Sequence, residues 1–130
     1  MNRKILVVDD ELDILDLTRI TLESGRYDVI TTTSGEEALQ LISQEKPDLV
    51  ILDVVLPGLS GLELCRRLKR DSTTYSPIKV VLFTALGTEV DMMLEKKDKA
   101  DGYLAKPFSC KTLLGLMERL LVDPHRGAKP

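Results

Sequence analysis

Four short apolar runs in this 130-residue chain each lead directly to side chains that can do chemistry. Ile5 to Val8 runs into Asp9, Asp10 and Glu11, Leu49 to Leu52 into Asp53, and Ile78 to Phe83 into Thr84, while Gly102 to Leu104 is followed by Lys106. Reactive groups at the ends of several strands are how an open α/β sheet builds a site, because ligands bind outside the carboxyl ends of the strands where strand order reverses. If the acidic positions converge there, each close carboxylate pair costs on the order of 4 kcal/mol at about 4 Å and an effective dielectric of about 20, so a cation has to offset them. A hard divalent ion fits best. Magnesium takes oxygen ligands, keeps several waters and bridges one or two carboxylates to a phosphate. Lys106 adds a point charge and Thr84 a hydroxyl, the groups that hold a phosphoryl oxygen. The chemistry expected is phosphoryl chemistry at an aspartate. Asp53 is the most telling residue: Pro47-Asp48-Leu49-Val50-Ile51-Leu52-Asp53 ends a buried run on a charge, and Leu56-Pro57-Gly58 and Gly61 follow.

Each member alone has a plainer explanation. Asp10 suits a helix N-cap, Thr84 a turn and Lys106 a solvated surface. Occurring at four strand ends of one sheet, they point instead to a shared rim.

The elements that must position this rim are legible as periodicity. Five apolar runs, Ile5 to Val8, Tyr27 to Thr31, Leu49 to Leu52, Ile78 to Phe83 and Gly102 to Leu104, read as strands. The first, third and fourth are nearly continuous in Ile, Leu and Val, as strands covered on both faces require. Amphipathic stretches alternate with them. The first, Asp13 to Glu23, places Ile14, Leu17, Thr18, Thr21 and Leu22 on one arc. The second starts at a capping box, Ser34 with Glu37, buries Ala38, Leu39, Leu41 and Ile42, and ends at Pro47. A third spans about Ser60 to Arg70, a fourth about Thr88 to Lys97 and a fifth about Ser109 to Val122. This alternation implies right-handed crossovers and an α/β fold, a doubly wound five-stranded parallel sheet, in which the strand order 2-1-3-4-5 brings the acidic strand ends together beside the switch point. Residues 1–122 form the expected domain and 123–130 a tail or linker.

Composition narrows the function. The length allows one core, and 43% hydrophobic with 30% charged residues is the balance of a soluble globular protein. The single histidine, His125, sits in the tail, which argues against a histidine zinc cluster or a Ser-His-Asp triad. A net charge of −3 gives no footprint for direct nucleic-acid or membrane binding, and leaves proteins and cations as partners. Cys65 and Cys110 lack metal-ligand neighbours and read as reduced thiols, and Met1-Asn2-Arg3-Lys4 leads into an apolar stretch too short for a signal peptide. A cytoplasmic protein is expected.

Taken in order, Ile5-Leu6-Val7-Val8-Asp9-Asp10-Glu11, Asp53 with Leu56-Pro57-Gly58 and Gly61, Thr84-Ala85, and Gly102-Tyr103-Leu104-Ala105-Lys106-Pro107-Phe108 resemble the receiver domain of two-component response regulators, with the fold of chemotaxis regulators. The resemblance covers about residues 3 to 121. It implies that Asp53 is the phosphoacceptor, that Asp9, Asp10, Asp53 and the Val55 carbonyl hold Mg²⁺, and that Thr84, Ala85 and Lys106 bind the phosphate. It further implies a switch of Thr84 and Tyr103 and a cis peptide before Pro107, plausible because X-Pro bonds have only a small preference for trans. The implied donor is a histidine kinase or histidine phosphotransfer protein, which supplies the histidine this chain lacks. The implied output is a downstream protein bound on the face of helix four, strand five and helix five, and a homodimer formed on phosphorylation is compatible with it. No independent enzymatic turnover is expected.

Two departures stand out. Where the family usually closes helix four with glycine, this chain has Asp98-Lys99-Ala100, and a left-handed Lys99 would cost on the order of 1 kcal/mol. Val55 and Leu86, two residues beyond Asp53 and Thr84, are apolar where some relatives position a hydrolytic water, so slow self-dephosphorylation is expected. Leu12 and Ile20 fall outside the buried arc of helix one with Leu15 at its edge, a candidate docking face for the donor. On helix four, Val90, Met93 and Leu94 read as core and Met92 as an exposed contact, while Arg66, Arg67, Lys69 and Arg70 read as a solvated cationic face. Two other functions use similar residues: a haloacid-dehalogenase-type phosphohydrolase, whose second aspartate two positions on is here Val55 or Glu11, and a receiver-like binding module that is never phosphorylated.

Overall fold

Strands that are apolar on both faces have to lie inside a sheet covered from both sides. In the computed structural model, which describes residues 2–70, 78–84 and 98–121, β1 (Lys4–Val8), β2 (Asp28–Thr32), β3 (Leu49–Asp53), β4 (Lys79–Thr84) and β5 (Gly102–Ala105) form one parallel sheet in the order β2-β1-β3-β4-β5. The doubly wound order expected from the sequence is the one observed. Four helices are described: α1 (Leu12–Ser24), α2 (Gly35–Glu45), α3 (Gly61–Arg70) and α4 (Cys110–Leu120), the last being the fifth helix of the sequence pattern. The expected helix from about Thr88 to Lys97 with Val90, Met92, Met93 and Leu94, together with Ala85, Leu86, Val122, His125 and the tail, lies outside the described residues.

Side-chain alternation splits the core in two. Leu6, Val8, Val50, Leu52, Val80 and Leu82 pack with Ala38, Ile42, Leu64 and Leu68 of α2 and α3. Ile5, Val7, Leu49, Ile51, Val81 and Phe83 pack with Leu15 and Leu22 of α1 and with Leu113, Leu116 and Met117 of α4. Burying each such side chain contributes about 1.5 to 3 kcal/mol, which anchors the central strands before any polar group at their ends is counted.

The expected inward arc of helix α1 holds at Thr18, Thr21 and Leu22, but Leu15 takes the place of Leu17. Leu15, Thr18, Thr21 and Leu22 are buried, whereas Leu17 faces solvent with Leu12 and Ile20. The threonines can turn inward because their hydroxyls are satisfied: Thr18 donates to the Ile14 carbonyl at 2.7 Å and the Thr21 hydroxyl lies 3.2 Å from Cys110 Sγ. Apolar residues occur around much of this helix, so periodicity alone did not fix its inward face.

The α2 cap is also built differently from a reciprocal capping box. Ser34 Oγ accepts the Glu37 amide at 3.2 Å as expected, but the Ser34 amide is taken by Thr32 Oγ1 at 3.2 Å. Glu37 therefore has no need to reach back and instead accepts a hydrogen bond from the Thr32 hydroxyl. The helix ends on Lys46 in the left-handed region, whose amide bonds the Ile42 carbonyl, with Pro47 next.

The connector into β5 corrects two further expectations. Among the described non-glycine residues only Arg26 and Lys46 have positive φ, so Lys99 is not left-handed. Instead Asp98 turns fully inside and accepts Arg70 Nε at 2.8 Å and Nη2 at 2.6 Å, while Asp101 accepts the Val80 amide at 2.7 Å and pairs with Lys69. Half of the expected solvated cationic face therefore ties α3 to this connector. Arg66 and Arg67 pair along the helix with Glu63.

The cysteines occupy contrasting environments. Cys65 is fully buried, donates to the Asp98 carbonyl at 3.3 Å, and burial pushes its thiol up to about 12, whereas Cys110 is exposed and both are free. A thiol reagent at neutral pH is expected to label Cys110 in the folded protein and Cys65 only after unfolding, because the thiolate is the nucleophile. Peptide mapping checks this, and labelling of both in the native state would contradict it.

Candidate functional site

Asp9, Asp53 and Lys106 share one parity along their strands. Ile5 and Val7 point to the α1 and α4 side and so does Asp9; Leu49 and Ile51 do and so does Asp53; Leu104 does and Lys106 lies two residues on. The register sets Asp53 against Phe83, and the Lys106 amide bonds the Thr84 carbonyl at 2.9 Å. The fold thus brings to one rim residues separated by up to ninety-seven positions in sequence (106 − 9).

The two buried aspartates are fixed by the same local device. Asp9 Oδ1 accepts the Glu11 amide and Asp53 Oδ1 accepts the Val55 amide, each at 2.9 Å, so both side chains fold over the turn that follows their strand. Their other oxygens converge on Lys106, whose Nζ lies 2.8 Å from Asp53 Oδ2, 2.8 Å from Asp9 Oδ2 and 3.2 Å from Glu11 Oε1. Phe83 lies beneath the ammonium, with Nζ 5.9 Å from the ring centroid, and Phe83 itself stacks on Phe108. The Lys106–Pro107 peptide is cis.

Asp9, Asp10 and Asp53 each offer an oxygen within 4.8 Å of the others; Asp9 is fully buried and Asp10 exposed. Asp9 Oδ2 is buried and ion-paired, yet the ammonium does not approach it in hydrogen-bonding alignment. A buried carboxylate oxygen without a hydrogen bond, beside two more carboxylates, is a donor set that fits a hard divalent cation. Burial raises the Asp9 carboxyl above its ordinary 3.8, against the lowering effect of Lys106 and the Glu11 amide. Burial acts the other way on Lys106, but its hydrogen bond to Asp53 and the charge of Asp9 beside it outweigh that and hold the ammonium above the usual lysine range.

The Asp9 shift has a sign that can be measured. A carboxyl raised in the fold contributes stability below its unfolded value near 3.8 and loses it as pH rises through the folded value. In a chelating buffer, wild type is expected to lose stability relative to Asp9→Asn as pH is raised from about 4, with Mg²⁺ at neutral pH closing part of the gap. Urea unfolding of both proteins tests this, and a gap moving the other way would contradict it.

The remaining expected site residues are placed as follows. Val55 engages Asp53 through its amide and its side chain is open to solvent. Thr84 is buried at the end of β4, opposite Ala105. Tyr103 is half-buried in β5 opposite Leu82 and packs against the α2 and α3 side, the face opposite Lys106. Ala85 lies outside the described residues. Asp10 does not cap α1, whose N-cap is Glu11 without a side-chain bond. Sequence reasoning noted Glu11 but gave it no role, although its place in the Asp9-Asp10-Glu11 triplet was the available signal. It missed the Phe83 floor, which carries no local signal.

Glycine is required just behind the acceptor. A Cβ on Gly61 would run into the Asp53 carbonyl, so α3 can approach the end of β3 only without a side chain there. At Gly58 φ is +74°, in the loop whose Leu59 amide bonds Glu36.

The sequence matches the family described as the response regulator receiver domain over residues 5–118, and the chain belongs to it. It is 43% identical over 121 residues, 93% of its length, to the alkaline phosphatase synthesis transcriptional regulatory protein PhoP of Bacillus subtilis (strain 168), and spans about half, 49%, of that relative. Its fold is similar to the chemotaxis protein CheY4 of Vibrio cholerae, with a TM-score of 0.84 and 30% identity over 93% of this chain and 100% of that one. It is likewise similar to the receiver domain of NtrX from Brucella abortus, with a TM-score of 0.78 and 33% identity over 90% and 97% of the two chains. No helix among the described residues is long and apolar enough to cross a membrane.

Proposed function

We propose that this receiver domain accepts a phosphoryl group on Asp53 from a phosphohistidine of a kinase or phosphotransfer protein, and that the modification switches a protein-binding surface. The observation that carries this reading is the Lys106 ammonium held 2.8 Å from both buried aspartates, beside a third carboxylate. An Asp53 oxygen attacks phosphorus, the P–N bond breaks and its electron pair returns to the donor imidazole, leaving an aspartyl phosphate. Lys106 orients Asp53 before the transfer and offsets charge on the phosphoryl oxygens during it. Mg²⁺ held by Asp9, Asp10, Asp53 and the Val55 carbonyl would supply further charge neutralisation at that group.

Thr84 and Ala85 complete the phosphate contacts in this reading, and Thr84 with Tyr103 carries the change to the surface of β5, α4 and the helix expected before β5. The Val55 side chain brings no polar group to the acceptor, so the phosphorylated form is expected to outlast seconds. The protein turns over no independent substrate, binds no nucleic acid directly within these residues, and works in the cytoplasm with a protein effector or as a phosphorylated homodimer.

The test is to incubate the chain with acetyl phosphate or phosphoramidate and Mg²⁺ and to weigh it intact. Gain of one phosphoryl group, lost in Asp53→Asn and in chelator, is the expected result. Unchanged mass with rapid phosphate release would point to a phosphohydrolase, and unchanged mass without release to a module that only binds.

A further inference from the structure

Lys106 has one contact that the acceptor chemistry does not use. Its third carboxylate partner, Glu11, holds no buried group in place: the side chain is 62% exposed, and its carboxylate meets the ammonium at 3.2 Å from the solvent side. The other two partners are Asp53 and Asp9, and because the Glu11 amide occupies Asp9 Oδ1 while Oδ2 has no hydrogen bond, Oδ2 is the Asp9 oxygen open to a divalent cation at the acidic cluster. Cation and ammonium therefore compete for the same atom. An ammonium pushed off Asp9 still needs anionic partners, and among the described residues those already beside it are Asp53 and Glu11.

We propose that Glu11 is a positioning residue that receives the Lys106 ammonium when a divalent cation takes Asp9. Glu11 then keeps Lys106 beside Asp53, where the phosphoryl oxygens arrive, and lowers the opposition that the lysine offers to the metal. Its amide is already bonded to Asp9 Oδ1, so the Asp9 rotamer and the start of the Glu11 side chain are fixed by one turn. The inference rests on the proposed Mg²⁺ site and adds to it a residue outside the ligand set.

The mechanism is separable from a simple field effect. If Glu11 acted only through its charge on the cation, removing Lys106 would leave that charge unpaired, and Glu11→Gln would weaken binding as much or more without the lysine. If Glu11 acts by receiving the lysine, its effect disappears with the lysine. The experiment is a double-mutant cycle on Mg²⁺ affinity, read by titration calorimetry at physiological ionic strength, where exposed charges are screened beyond about 8 Å. Glu11→Gln is expected to weaken Mg²⁺ binding by about 3- to 5-fold in the wild-type background, the upper part of what the loss of a partly exposed charged contact implies, and by less than about 2-fold in Lys106→Met. Equal or greater weakening in Lys106→Met, or no weakening in wild type, overturns the inference while leaving the metal site intact. Absence of Mg²⁺ binding by the wild-type chain overturns the proposed function, and this inference with it. Because Glu11 is exposed and Lys106→Met is measured in both arms, a global effect of either substitution cancels in the cycle.

Discussion

Replacing Lys106 with methionine is expected to slow phosphoryl uptake from acetyl phosphate by about 100-fold at saturating Mg²⁺, the low end of what loss of one preorganised charge-stabilising group costs. The same substitution is expected to destabilise the metal-free fold at neutral pH by about 2 to 3 kcal/mol. Two buried carboxylates that now share one ammonium would face each other without it, and removing one partner of a buried ion pair commonly costs somewhat more than this. Mg²⁺ should restore most of the stability and little of the rate. That contrast separates the roles: a cation can replace Lys106 as a counter-charge to Asp9 and Asp53, but not as a donor placed above the Phe83 ring at the acceptor oxygen. Urea unfolding with and without Mg²⁺, beside timed mass measurement, provides both readouts. Uptake at the wild-type rate would remove Lys106 from the chemistry.

Gly61→Ala is expected to destabilise the protein by about 3 kcal/mol, at the upper end of what overpacking costs. The atoms a methyl group would meet are the carbonyl oxygen and carbon of Asp53 and Cα of Val54, all backbone, so no side chain can rotate away. Relief requires α3 to move off the end of β3, which stretches the bond from the Gly61 amide to the Val54 carbonyl and shifts the turn holding Asp53 Oδ1. The substitution should therefore slow phosphoryl uptake as well, although residue 61 contributes no side chain to the site. A loss below about 1 kcal/mol in urea would show that α3 has room the structure does not give it.

Both results depend on features of unequal legibility. Asp9, Asp53 and Lys106 could be picked out because each follows an apolar run, and a charge beside a buried strand end is conspicuous in any sequence. The doubly wound sheet followed from the alternation of runs and amphipathic stretches, whereas its strand order did not, because that alternation fits more than one doubly wound order. The full inward face of α1 did not follow from periodicity: Thr18, Thr21 and Leu22 turn inward as expected, but Leu15 joins them and Leu17 does not, since Leu12, Ile14, Leu15, Leu17 and Ile20 surround the helix. Nor did the pairing of Asp98 with Arg70, twenty-eight positions apart, or of Asp101 with Lys69, because nothing local distinguishes a lysine or arginine that will be clamped from one that will be solvated.

By itself the sequence determined the doubly wound sheet and the set of groups delivered to its carboxyl edge, because side-chain period and strand-end position are local properties of a chain. Only the tertiary structure decided how those groups share charge. Which oxygen of Asp9 faces the lysine, which carboxylate is buried and which exposed, and the seating of Glu11 as a third partner all depend on distances of about 3 Å between residues brought together from three separate strand ends. Electrostatic energy changes steeply over that range while sequence spacing says nothing about it, so the members of the site could be named from the chain but their division of labour required the fold.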